Sequence, residues 1–96
     1  MNPPRLIDAG AELNIVHAAD LRQSWLGQIE PSDTQVHIDL SGVQEMDSAG
    51  AQLLIALDKA LLNEGKLLEL VKPSRVVREV LDTFGLTDHL HQAGNH

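Results

Sequence analysis

The sequence predicts a small α/β fold, about four strands in a mixed sheet with the helices packed mainly on one face. Three observations carry this expectation. Apolar runs of strand length stand at 5–8, 12–15, 35–40 and 66–71. Longer stretches at 17–29, 48–63 and 73–84 place apolar residues at helical spacing. The two kinds of segment alternate, as strands joined by helical crossovers do. A chain of 96 residues is one domain.

Arg5-Leu6-Ile7-Asp8 reads as a short first strand, and Gly10 as a turn before a second at 12–15. From His17 to Ile29 the period changes. Ala18, Leu21, Trp25 and Ile29 fall on one helical stripe, which ends where Glu30 meets Pro31, because the residue before proline avoids the α region. In 35–40, Val36, Ile38 and Leu40 point one way while His37 and Asp39 point the other. Ser41-Gly42 stops that strand. A second helix is expected over 48–63 with Gly65 at its C-terminal end. A buried strand follows over 66–71. The strand–helix–strand succession implies a parallel pair with a right-handed crossover. Pro73-Ser74 opens a third helix whose apolar stripe is Val76, Val77, Val80, Leu81 and Phe84, closed by Gly85. One or two further helical turns are expected over 86–92.

Composition limits the function classes. Hydrophobic residues make up 43% of the chain, with Trp25 and Phe84 the aromatics, so aliphatic packing carries the core. There is no cysteine, which excludes disulfides and thiolate metal sites. No apolar run reaches the ~18–20 residues of a membrane span, and the first ten residues lack the apolar region of a signal peptide. The net charge of −7 argues against a phosphate-backbone partner, which needs a basic face.

The stretch 35–50, QVHIDLSGVQEMDSAG, delivers Asp47 and Ser48 to the start of the second helix. Free backbone N–H groups and the helix dipole favour an anion there. Asp47 and Ser48 are both preferred cap residues, so the pair is either a helix cap, with Asp47 or Ser48 as the capping side chain, or it presents a Ser48 hydroxyl to which a phosphate can be added and tolerated, and the residue chemistry leaves both open. At about 100° per residue, Leu53, Leu54, Leu57, Ala60 and Leu61 share the arc expected to face the core. Ala51, Ile55 and Leu62 fall on a second arc, bordered by Ser48, Gln52, Asp58 and Lys59. That second arc suggests a partner surface, unless the sheet curves enough to bury both.

Other constellations read blandly. Asp39, Asp47 and Ser48 with His37 do not make a hydrolase, since no Gly-x-Ser-x-Gly elbow surrounds Ser48. His89, His91 and His96 read as solvated tail residues rather than metal ligands. Lys72-Pro73-Ser74-Arg75 could receive an anion at a helix start but reads first as a solvated turn. No metal and no cofactor is expected, and a nucleotide has no glycine-rich loop to hold it.

The run from Val36 to Leu86, above all IDLSGVQEMDSAG and KPSRVVREVLDTFGL, resembles the body of a STAS domain, the module shared by sulphate transporters and anti-sigma factor antagonists. The resemblance covers about residues 13–90, with 91–96 a flexible tail. It implies a cytoplasmic, non-enzymatic protein-binding module, monomeric or weakly dimeric, without membrane insertion. In the antagonists the serine matching Ser48 is phosphorylated by a serine kinase that is also the anti-sigma factor. A phosphatase reverses this, and the phosphate ends binding. The contact residues so implied are Asp39, Ser41, Val43, Met46, Asp47, Ser48, Ala49 and Ile55, to which the second helical arc adds Ala51, Gln52 and Leu62. The resemblance extends to a second role, a constitutive subunit of a chemosensory or ABC lipid-transport assembly in which Ser48 is only a helix cap. A fifth strand that many members carry after the third helix is not evident past Gly85.

Overall fold

In the computed structural model, the structure describes residues 3–86. Eight elements follow in order: β1 (Arg5–Asp8), β2 (Glu12–Leu13), α1 (Ala18–Gln28), β3 (Gln35–Asp39), β4 (Glu45–Met46), α2 (Ser48–Asn63), β5 (Leu67–Val71) and α3 (Arg75–Thr83). The α/β class stands as expected, but the strands divide differently. β1, β3 and β5 form a three-stranded sheet with β3 in the centre, while β2 pairs with β4 in a separate two-stranded ladder. Every described pairing is parallel, where a mixed sheet was expected. The split has a local cause. The Asp8 carboxylate accepts from Gly10 N–H (2.9 Å), turning the chain out of the sheet after β1. β2 then has only Glu45 and Met46 to pair with, and that two-residue strand is too short to show as a periodic run.

Alternation fixes which face is covered. Ile7, Val36, Ile38, Leu68 and Leu70 point into the core with Trp25 of α1, Leu54, Leu57 and Leu61 of α2, and Val77 and Leu81 of α3. The other sheet face carries Leu6, His37, Leu67 and Glu69 and has no described helix over it. β5, expected to be buried throughout, therefore alternates, with Leu67 exposed. Phe84, placed on the buried stripe of the third helix, sits at its C-cap and is also exposed. The α1 stripe is as expected, with Trp25 buried and Ala18, Leu21 and Ile29 packed against the core.

The helix ends explain the connections. After α2, Gly65 N–H donates to Leu62 C=O (3.0 Å) and Lys66 N–H to Leu61 C=O (2.8 Å), the paired bonds of a Schellman close. Gly65 adopts φ +74°, which that close demands and a side chain resists. The chain thus turns directly into β5. Lys66 is buried, and its ammonium donates to the backbone carbonyls of Glu30, Pro31 (3.0 Å) and Asp33. Asp33 is buried as well. Its carboxylate accepts from Arg5 Nε (2.9 Å) and from Glu30 N–H (2.8 Å). These charges clamp the turn between α1 and β3 to both outer strands. Most of the helical turns expected over 86–92, the tail at 91–96 and the three tail histidines lie outside the described residues.

Candidate functional site

The carboxyl ends of the three parallel strands lie in register, Asp8 beside Asp39 and Asp39 beside Val71. Loops leaving that edge build the surface around Ser48, at the position where ligands of parallel α/β sheets gather. Asp39 ends β3, and its carboxylate accepts from Ser41 N–H (2.9 Å), which bends the chain away. The Ser41 hydroxyl foremost, then the Ser41 backbone N–H and the charge of Lys72, hold the Asp39 carboxyl below the usual aspartate value.

Asp47, not Ser48, is the N-cap of α2. Its Oδ1 accepts from Ala49 N–H (2.9 Å) and Gly50 N–H (3.2 Å). Its Oδ2 accepts from Ile15 N–H (3.1 Å), in the loop before α1. The Ile15 amide foremost, then those of Gly50 and Ala49, hold the Asp47 carboxyl below its usual range, against the opposing effect of burial. Ser48 is the first helical residue and is exposed. The cap role considered for it is filled by its neighbour.

Gly50 explains why a glycine stands three residues after the cap. The first turn of α2 lies directly on the backbone of β2. A methyl group at Gly50 would overlap the Leu13 carbonyl oxygen and come within 3.0 Å of the Leu13 Cβ. Asp47 N–H donates to that same Leu13 carbonyl (3.1 Å). The helix start and the end of β2 are therefore one packed unit.

The residues expected to meet a partner separate into two groups. Ser41, Ser48 and Gln52 are exposed, Leu62 is 52% exposed, and Asp39, Met46, Asp47 and Ala49 are partly exposed. Val43 and Ala51 correct the expectation. Each is only 2% exposed, Val43 within the core cluster, so neither presents a surface. Ile55 is intermediate and packs against the core. The free arc of α2 runs through Ser48, Gln52, Lys59 and Leu62, with Ile55 on its margin. Ala51 was misplaced because a helix start lying flush on a strand buries more than one face.

The sequence reading also passed over Ile15 and Val16. Taken as strand and linker, they are 74% and 75% exposed, the most exposed of the large apolar residues described. Two adjacent aliphatics between Asn14 and His17, off any periodic stripe, were the available signal. In the Lys72–Arg75 turn, Lys72 and Arg75 are exposed while Pro73 and Ser74 are partly covered. Ser74 Oγ caps α3 by accepting from Val77 N–H (3.3 Å), and Arg75 pairs with Glu79 (2.9 Å). Among the described residues no cluster of His, Asp or Glu is arranged to hold a metal ion, and no helix is long and apolar enough to cross a membrane.

Comparison with known proteins gives a consistent result. A family model described as "Mlab, STAS domain" matches residues 5–92. The chain is similar to the anti-sigma-B factor antagonist of Staphylococcus epidermidis, 28% identical over 85 residues, spanning 88% of this chain and 79% of that protein. The antagonist from a second strain of that organism matches with the same figures. Among solved structures, the anti-sigma factor antagonist SpoIIAA in its unphosphorylated form superposes with a TM-score of 0.74 over 99% of this chain and 85% of that one, at 22% identity.

Proposed function

The chain belongs to the STAS domain family, and from that premise we propose that it is a protein-binding regulator of the anti-sigma factor antagonist type, switched by phosphorylation of Ser48. It acts in the cytoplasm by binding and carries out no reaction of its own. The partner in this reading is a serine kinase that is also the anti-sigma factor, and a phosphatase restores the free hydroxyl.

One observation carries the reading. Ser48 opens a 16-residue helix with its side chain exposed, while Asp47 already holds the first amides. The hydroxyl is therefore available for transfer chemistry without loss of the cap. A phosphoryl group there adds a charge of about −1.5 to −2 beside the Asp47 carboxylate. It would sit at the exposed start of α2, one helical turn from Gln52, within the proposed contact surface, where bulk and repulsion end binding.

The alternative, a constitutive subunit of a chemosensory or lipid-transport assembly, takes no support from the cap, since Asp47 fills that place. A pull-down from the native cell with wild-type and Ser48→Asp baits, read by mass spectrometry, separates the two. The switch predicts a kinase of the histidine-kinase-like ATPase fold retained by wild type and lost by Ser48→Asp. Equal retention by both baits would assign the constitutive role.

A further inference from the structure

β1 is an edge strand with half of its backbone unused. The sheet runs β1–β3–β5, so β1 has β3 on one side and no described strand on the other. Along a strand, successive residues turn their N–H and C=O groups to opposite sides. Ala9 N–H donates to Asp39 C=O (3.0 Å), so Arg5, Ile7 and Ala9 face β3. Leu6 and Asp8 therefore direct their backbone groups outward, as Pro4 does its C=O, and no described residue bonds them. Natural edges are commonly blunted by a lysine, a bulge or a covering loop. This one instead shows Leu6, 63% exposed, at its middle. Its one cation, Arg5, is turned to Asp33.

The edge is complementary to itself. Set antiparallel about a two-fold axis normal to the sheet, two copies bring Leu6 opposite Leu6 and keep the helices of both on one side. Each Leu6 N–H then meets the Leu6 C=O of the other copy, and each Asp8 N–H meets its Pro4 C=O. Pro4 has no N–H to leave unpaired, and it closes the ladder there. The two Leu6 side chains lie together on the open sheet face as an apolar cross-strand pair. Asp8 faces Pro4 and Arg5 faces Ile7, so no like charges stand opposite. The neighbouring register, centred on Ile7, sets Leu6 against Asp8 and gives neither leucine an apolar partner.

We propose that β1 pairs with the β1 of a second copy of this chain, antiparallel and centred on Leu6, joining two three-stranded sheets into one of six strands. A contact four residues long is well below the ~1,600 Å² of a standard interface, and each copy carries a net charge of −7. The dimer is accordingly weak and concentration-dependent. α2 packs on β5, at the opposite edge of the sheet, so the Ser48 end of α2 stays clear of the pairing. Because the paired strands run antiparallel, the two Ser48 surfaces point in opposite directions. The dimer then offers that surface to two separate partner molecules. The pairing itself does not depend on what Ser48 binds.

The chain has no cysteine, so a single introduced one reports the register. Opposed residues of a hydrogen-bonded antiparallel pair have Cα atoms about 5.5 Å apart, within disulfide reach. The two Asp8 positions are offset by four residues, about 14 Å along the strands. Under mild oxidation Leu6→Cys should form a disulfide-linked dimer at least tenfold faster than Asp8→Cys, although both positions are exposed on the same sheet face. In equilibrium sedimentation the wild type should pass from monomer toward dimer as its concentration rises to millimolar. Leu6→Pro removes an N–H that serves nothing within the monomer. It should raise the dimer dissociation constant at least tenfold, with circular dichroism at low concentration unchanged. A wild type that stays monomeric at millimolar concentration would overturn the proposal. So would a dimer that Leu6→Pro leaves intact, or disulfide formation as fast at position 8 as at position 6, either of which places the contact elsewhere.

Discussion

Asp47 and Ser48 are neighbours with opposite consequences. Ser48 is exposed and is not the cap, so Ser48→Ala should shift stability by under about 0.5 kcal/mol, as for an ordinary surface position, and should keep partner binding. Asp47→Ala removes the acceptor for three backbone amides. It should lower the melting temperature by roughly 4–8 °C, a typical cap's effect in a domain of this size. Thermal melts of the two variants side by side test the assignment. Greater damage from Ser48→Ala would place the cap on the serine after all. The DSAG run made both residues conspicuous in the sequence, but which of them caps depends on where the helix begins. One residue of offset exchanges their roles, and side-chain chemistry alone does not fix that offset.

At the level of elements, α2 lies flush on β2 because Gly50 has no side chain. Gly50→Ala should destabilise by ~1–3 kcal/mol, since the overlap falls on backbone rather than on a flexible side chain, and this outweighs alanine's better helix propensity. Leu57→Asp should unfold the domain, because a buried unpaired carboxylate costs several kcal/mol against a total of ~5–15. Leu62→Asp should leave the fold intact, with Ile55→Asp between them, and urea titrations would rank the series. Unfolding by Leu62→Asp would show that the free arc is core. The bounds of α2 were legible from periodicity, as was the Trp25 stripe of α1, because long amphipathic segments write their buried face into the sequence. β4 was not legible, since two residues carry no period. The exposure of Leu67 and Phe84 was hidden for another reason: an apolar residue looks the same in sequence whether or not a neighbouring layer arrives to cover it.

For the molecule as a whole, charge sets the response to acid. Asp33, Asp39 and Asp47 are all held below the ordinary aspartate value of 3.8, Asp33 chiefly by the Arg5 side chain. A carboxyl depressed in the folded state contributes stability that is fully present above its unfolded value and is lost as pH falls through the folded one. The urea midpoint should therefore be nearly level above about pH 5 and fall steadily below about pH 4. Asp33→Asn should be weaker at neutral pH and lose less on acidification. A midpoint that rises on acidification from pH 5 to pH 3 would contradict the Arg5–Asp33 pairing.

The buried Lys66 ammonium bears on how long the folded state lasts. It bonds backbone positions 33 to 36 residues earlier in the chain, joining the start of β5 to the turn before β3. Contacts so distant in sequence close only after the intervening helix and strand are ordered, so the clamp is expected to be absent from the folding transition state. An interaction of that kind retards escape from the native basin rather than hastening entry to it. In stopped-flow chevrons Lys66→Met should steepen neither arm, should leave the refolding arm almost in place, and should lift the unfolding arm by the whole of the lost stability. A lysine that reads in the sequence as the first residue of a strand would then act as the domain's kinetic latch.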